Sequence, residues 1–339
     1  MRIVTCTGYF STGSSAICDL LSEYEGFYYK NDYELRFIYD TDGLSDLEYH
    51  LVENHNRHNS GHALKRYKRL VDFYCGNRIA KKNEWYFNGK WKYLSYCYLD
   101  SLTEFSYKGA WLYDYLDRGL FFHYFNSLLR KTIKRDFLTN EETPCGYPSK
   151  NDFYEKTKIY LSKLFDAACD RKCEVFLVDQ ALPPSDIKRY LPMFDDIFVF
   201  IVDRDPRDVY FLEKYIRKES VIPSNVEDFC KWFEYTRRHR QHETINTNNS
   251  MFIQFEDLIY RYDDSLYKIE KVLNLSPEKH LERKTKFIPE KSINNTQIWK
   301  RLTMSEQQVE ELEIITDKLK KYLYEFPEIT VSGSIRDIS

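Results

Sequence analysis

The residues "GYFSTGSS", Gly8 to Ser15, follow a short apolar stretch, Ile3 to Thr7, and precede an apolar pattern of helical type. They fit the spacing G-x-x-x-x-G-K-[S/T] everywhere except at the lysine. A loop of this kind holds phosphate. A helix start leaves backbone N–H groups unpaired and carries partial positive charge. Glycine lets the backbone approach an anion closely. The N–H groups of Thr12, Gly13, Ser14 and Ser15 are therefore the expected donors, with the serine hydroxyls beside them. The simpler alternative is an ordinary strand-to-helix turn with Ser14 as N-cap. A second candidate is Arg204 in "FVFIVDRDPRDVYF", directly beyond an apolar run. Its planar fork suits phosphate, and Pro206 suits the first turn of a helix. His58 and His62 stand at i, i+4 spacing, which could pair on a metal. No acidic third ligand is evident nearby, so no metal is expected and the segment reads as polar and solvated.

The elements that must position these residues come next. "EVFLVD" (174–179) and "IFVFIVD" (197–203) are apolar without alternation, as in parallel strands covered on both faces. "MFIQFEDL" (251–258) reads as a strand leading into a helix. Residues 152–168 carry a helical stripe of Phe153, Tyr160, Leu161, Leu164 and Phe165. Thr303 and Glu306 form a T-x-x-E capping pattern before another helix. Residues 1–43 and 151–339 thus alternate strand and helix. They predict a three-layer α/β/α domain of P-loop type with a central parallel sheet. Residues 44–150 do not alternate and predict a mostly helical, aromatic-rich insertion. The stretch 138–152 reads as a loop or disordered break.

Composition bounds the function. The net charge of −3 leaves no global basic field for nucleic acid. No run approaches the ~20 apolar residues of a membrane span, and no signal peptide is evident. Eight cysteines, none in Cys-x-x-Cys, read as reduced thiols and place the chain in the cytoplasm. The 29 Tyr and 23 Phe are in excess, most expected in the core and some stacked on sugar rings.

Taken in order, these pieces resemble the PAPS-dependent sulfotransferases, in the carbohydrate-type branch. In that family an N-terminal loop grips the 5′-phosphosulfate, and the arginine of an R-[D/N]-P-x-[D/E] turn grips the 3′-phosphate. "VFIVDRDPRDVYF" is similar to that turn, "MFIQFEDLIYRYDDSLYKIEKVLNL" to the later "xxFEDL" strand and helix, and "FIPEKSINNTQIWKRLTMSE" to the lid over the nucleotide. The resemblance implies PAPS as co-substrate, no metal, and Ser11 to Ser15 with Arg204 as its binding residues. "YELRFIYD" is similar to the context of the family's glutamate base, which implies that Glu34 takes the acceptor proton. The acceptor implied is a polysaccharide or glycolipid precursor, lined by the aromatic insertion, with possible association with glycan-synthesis machinery.

Two family contacts are absent. The loop's usual lysine or arginine is Ser11, and a serine usual eight residues after the 3′-phosphate arginine is Leu212. Lys291, Arg36 and Arg207 are the available substitutes, with Lys291 first and Arg36 second. The rival readings are a kinase or NTPase using Mg-ATP, since both buried strands end in a Walker-B-like aspartate, and a catalytically inactive relative that only binds.

Overall fold

A computed structural model describes residues 1–76, 82–134, 136, 141–242 and 247–328. In chain order its strands are β1 (Arg2–Gly8), β2 (Phe27–Glu34), β3 (Phe105–Lys108), β4 (Glu142–Cys145), β5 (Val175–Asp179), β6 (Ile197–Asp203) and β7 (Ser250–Gln254). Five of them form one sheet in the order β2-β5-β1-β6-β7. Every pairing in it is parallel. Every residue of β5 and β6 is buried, which is why neither run alternates. β1 is the central strand, with Arg2 opposite Val175 on β5 and Ile3 opposite Ile197 on β6.

Helices flank this sheet, giving the expected α/β fold. Ile17 and Leu20 of the helix Ser15–Leu21 pack with Val4, Phe198 and Phe200. Leu258 and Ile269, from helices Phe255–Tyr260 and Tyr262–Leu273, join the same cluster. A second apolar cluster unites helices Pro206–Phe211, Val226–Arg237, Ile298–Arg301 and Glu306–Lys318. The last of these begins differently from the T-x-x-E expectation. Its N-cap is Ser305, paired reciprocally with Gln308, because Ser305 itself is still extended and the chain turns helical only after it.

The chain divides into two compact units. One comprises Met1–Leu35, Cys173–Arg189 and Asp196–Ser339, and the other comprises Arg36–Lys172 and Tyr190–Asp195. These limits differ from the 43/44 and 150/151 boundaries read from sequence. The helix Lys150–Ala168 has the predicted stripe, but the stripe packs on the helix Trp91–Leu102 within the second unit. Tyr98 and Tyr160 stack at 4.4 Å, and the Tyr98 hydroxyl meets Thr157 Oγ1 at 2.7 Å. The second unit is mainly helical and adds the antiparallel strand pair β3–β4. Of the stretch 138–152, residues 138–140 lie outside the described residues. The remainder holds β4 and a helix capped by Ser149, whose hydroxyl accepts from Asp152 N.

Candidate active site

β1 ends at Gly8 and the next helix begins at Ser15, so Tyr9 to Ser14 form the loop. Phe10 and Ser11 both take left-handed backbone angles, with φ of 84° and 54°. Each such non-glycine residue costs roughly 1–2 kcal/mol, so the conformation must be held. Arg204 Nη1 donates to the Ser11 carbonyl at 3.0 Å, and the Ser11 hydroxyl donates to Glu213. Two glycines are sterically required. A Cβ on Gly8 would meet Thr12 Oγ1 at 2.0 Å, and one on Gly13 (φ 74°) would meet the Phe255 ring at 2.6 Å. Ser14 makes no side-chain cap; its hydroxyl instead accepts from Gln180 Nε2 at 2.9 Å.

The loop opens on a cavity of about 620 Å³ within the first unit, a size suited to a nucleotide-scale ligand. Ser11 to Ser15, Glu34, Arg204 and Lys291 all line it. Arg204 lies just past β6, beside β1, and is only 4% exposed. Its Nη2 donates to the Asn295 carbonyl, and the guanidinium lies 5.1 Å from the Phe255 ring centre. Burial lowers its pKa, with Asp208 and Glu256 opposing. Its Nε and the buried Thr12 Oγ1 have no hydrogen-bond partner among the described residues. Buried polar atoms are rarely left so. Two orphaned atoms around a glycine cradle fit an anion such as phosphate.

The acids of "RDPRD" hold the site's walls. Asp205 caps its helix through Arg207 N at 2.9 Å and accepts from Tyr324 N at 2.9 Å. Asp208 accepts from Gln297 N and Ile298 N, at 3.0 and 2.8 Å, and so fixes the segment that follows Lys291. Glu256 accepts from Asp205 N at 2.8 Å. Burial pushes the Asp208 carboxyl up to about 7, with Arg204 opposing. Burial and the charge of Asp205 push Glu256 well above the carboxylate range.

The substitute cations divide. Lys291, on the short helix Pro289–Ser292, reaches the cavity. Arg207 forks onto Asp205 at 2.7 Å and lies 4.2 Å from the centre of the Trp299 ring, so it clasps the C-terminal segment. Arg36 belongs to the second unit, where it pairs with Asp40 at 3.2 Å. Leu212 is buried in an apolar cluster and offers an anion nothing.

Glu34 stands at the end of β2, exposed, with its Cα opposite that of Asp179. Sequence reasoning missed Asp19, Arg217 and Lys286, which also line the cavity, as does Asp179, read from sequence only as a Walker-B-like aspartate. Asp179 carried a signal, as the last residue of an apolar strand; the others carried none. The sheet order sorts these charges. Glu34 and Asp179 lie on the β2/β5 side of β1, and Arg204 follows β6 on the other side. The second Walker-B-like aspartate, Asp203, is occupied. Burial alone would raise its pKa, yet Arg237 at 2.6 Å and Arg240 hold it below the usual range. His58 and His62 do not share a ligand geometry. His62 pairs with Asp117 at 3.5 Å, and His58 meets Trp111 edge-on. No metal-binding group of three side chains occurs among the described residues, and no described helix is long and apolar enough to cross a membrane.

No protein-family model and no curated protein matches the chain. Among solved structures it is similar to the sulfotransferase domain of the Synechococcus PCC 7002 olefin synthase, at 13% identity and a TM-score of 0.41, over 96% of this chain and 95% of that one. It is similar to retinol dehydratase in complex with androsterone and inactive cofactor PAP, at 14% and 0.36, over 97% and 84%. It is also similar to mouse sulfotransferase SULT7A1 complexed with PAP, at 19% and 0.31, over 47% and 70%.

Proposed function

We propose that the protein is a sulfotransferase that moves a sulfuryl group from PAPS to a hydroxyl of a carbohydrate. The observation that supports this most is the shared cavity of the glycine-bounded loop and the buried Arg204, whose Nε has no partner among the described residues. Against a kinase, the loop lacks the lysine that contacts a nucleotide's β- and γ-phosphates, and of the two strand-end aspartates Asp203 is locked by arginines.

PAPS supplies the sulfuryl group when bound. The loop N–H groups of Thr12, Gly13, Ser14 and Ser15 hold its 5′ side, and Arg204 holds its 3′-phosphate. Lys291 brings positive charge to the oxygen on which negative charge develops, an effect of preorganised electrostatics. Glu34, on the opposite side of β1, takes the proton of the attacking hydroxyl. The carbohydrate acceptor rests on the sequence context of Glu34. A cytoplasmic setting fits eight free thiols, and partners in glycan synthesis would follow from the carbohydrate acceptor.

Calorimetry against adenosine 3′,5′-bisphosphate tests the reading. Binding should not need Mg²⁺, and Arg204→Ala should weaken it roughly tenfold to hundredfold. Stabilisation by Mg-ATP alone would overturn it. Sulfate transfer to a glycan panel rather than a phenol panel tests the acceptor. Bisphosphate binding with no transfer to either panel would instead support an inactive binding protein, the reading that Ser11 and Leu212 favour.

A further inference from the structure

The helix Pro206–Phe211 continues as a π-helical turn, Leu212–Arg217, directly beside the loop. π-Turns are rare and often mark functional positions. Within this one, Glu213 has a fully buried side chain. Its Oε1 accepts from the Ser11 hydroxyl, and the same oxygen lies 3.2 Å from Nη1 of Arg217, four residues on. Ser11 and Arg217 both line the cavity. Arg217 also lies close enough to Arg204 that, after burial, its charge further lowers the Arg204 pKa.

An exposed Glu–Arg pair at i, i+4 contributes little and would not bury its carboxylate. Here the carboxylate is wholly buried, has its second oxygen unpartnered among the described residues, and ties a cation to Ser11, the loop position where a lysine or arginine is expected. A guanidinium has five N–H donors, enough to serve a carboxylate and an anion together. We infer that Arg217 supplies, beside the loop, the positive charge that residue 11 does not, and that Glu213 is the positioning residue that places it against the 5′-phosphosulfate. This rests on the PAPS reading above and adds a second cation, beside the loop, to Lys291 on the helix Pro289–Ser292.

The test uses the full chain and two probes, adenosine 3′,5′-bisphosphate and adenosine 3′-phosphate. Arg217→Ala should weaken the bisphosphate roughly tenfold to hundredfold and leave the 3′-phosphate unchanged. Arg217→Gln, which keeps the stem, should behave alike and guards against a folding defect. Adding Ser11→Lys to Arg217→Ala should restore affinity, because Glu213 then partners the new lysine. Glu213→Gln should weaken bisphosphate binding in the wild type but not in the Arg217→Ala background. A merely structural Glu213 would weaken both alike and remove its positioning role. Bisphosphate affinity unchanged by Arg217→Ala, or both probes weakened equally, overturns the inference while the PAPS reading stands. A wild type that binds no bisphosphate overturns both.

Discussion

Asp208 shows how much one residue of this site is asked to do. It anchors two backbone N–H groups of the segment after Lys291, and it sits near Arg204, Asp205 and Glu256 with its carboxyl raised from 3.8 to about 7. The sign follows from linkage. The folded state binds a proton that the unfolded state has released, so this group's stabilising contribution is full below about pH 4 and is lost as the pH rises through 7. Asp208→Asn should therefore flatten the pH dependence of stability between about pH 4 and 7, read by urea unfolding. Phosphate arriving at Arg204 raises the carboxyl further, so bisphosphate binding should take up a proton near pH 7, seen as buffer-dependent heat in calorimetry. Glu34→Gln should lower transfer by roughly 10²–10⁴-fold and leave bisphosphate affinity intact, because a base acts on the acceptor; a rate within twofold of wild type would remove Glu34 from that role. At this scale the sequence was legible where chemistry is local. Gly8, Gly13 and Arg204 each stand at a fixed offset from a strand end. Glu213 and Arg217 were not legible, because their meaning depends on a contact with Ser11 about two hundred residues earlier.

Among the elements, the segment that carries Lys291 depends on a carboxylate far from it in sequence. Glu23, just after the first helix and fully buried, accepts from the backbone N–H groups of Lys284, Thr285, Lys286 and Phe287 at 2.8 to 3.0 Å, and it meets His280 Nε2 at 2.7 Å. Its removal would strand several donors in the interior. Glu23→Ala should cost about 3–5 kcal/mol by urea unfolding and open residues 284–292 to limited proteolysis before the rest of the chain. Gly13→Ala must relieve a 2.6 Å clash with Phe255 in a left-handed backbone, and should lower stability by about 1–3 kcal/mol along with bisphosphate affinity. The parallel strands were legible because burial on both faces erases alternation. The helix Lys150–Ala168 was legible as a helix but not as a member of the second unit, since an apolar stripe does not name its partner. The helix-start pattern slipped by two residues, from Thr303 to Ser305, because T-x-x-E and S-x-x-Q stand side by side and only the extended backbone of Ser305 decides between them.

Across the whole molecule, the excess of tyrosine has a structural answer in the second unit. Tyr67, Tyr160 and Ser95 link their hydroxyls at 3.0 and 2.7 Å in the interior, so the rings fill core while their polar ends satisfy one another. Others, such as Tyr124, face solvent, and composition alone could not sort the two. The place of β1 in the sheet bears on how the chain comes to exist at all. β1 is made well before both its neighbours, which start at Val175 and Ile197. At ~5–20 residues per second, an apolar strand with two open edges waits about 10 to 40 s for both partners. Such a segment invites pairing with other nascent chains. Chains arrested at residue 170 should leave the amides of Val4 and Thr5 exchanging freely, and completed chains should protect them. Yield in a host should then follow the supply of chaperones that shield nascent apolar segments more closely than it follows the stability of the finished protein.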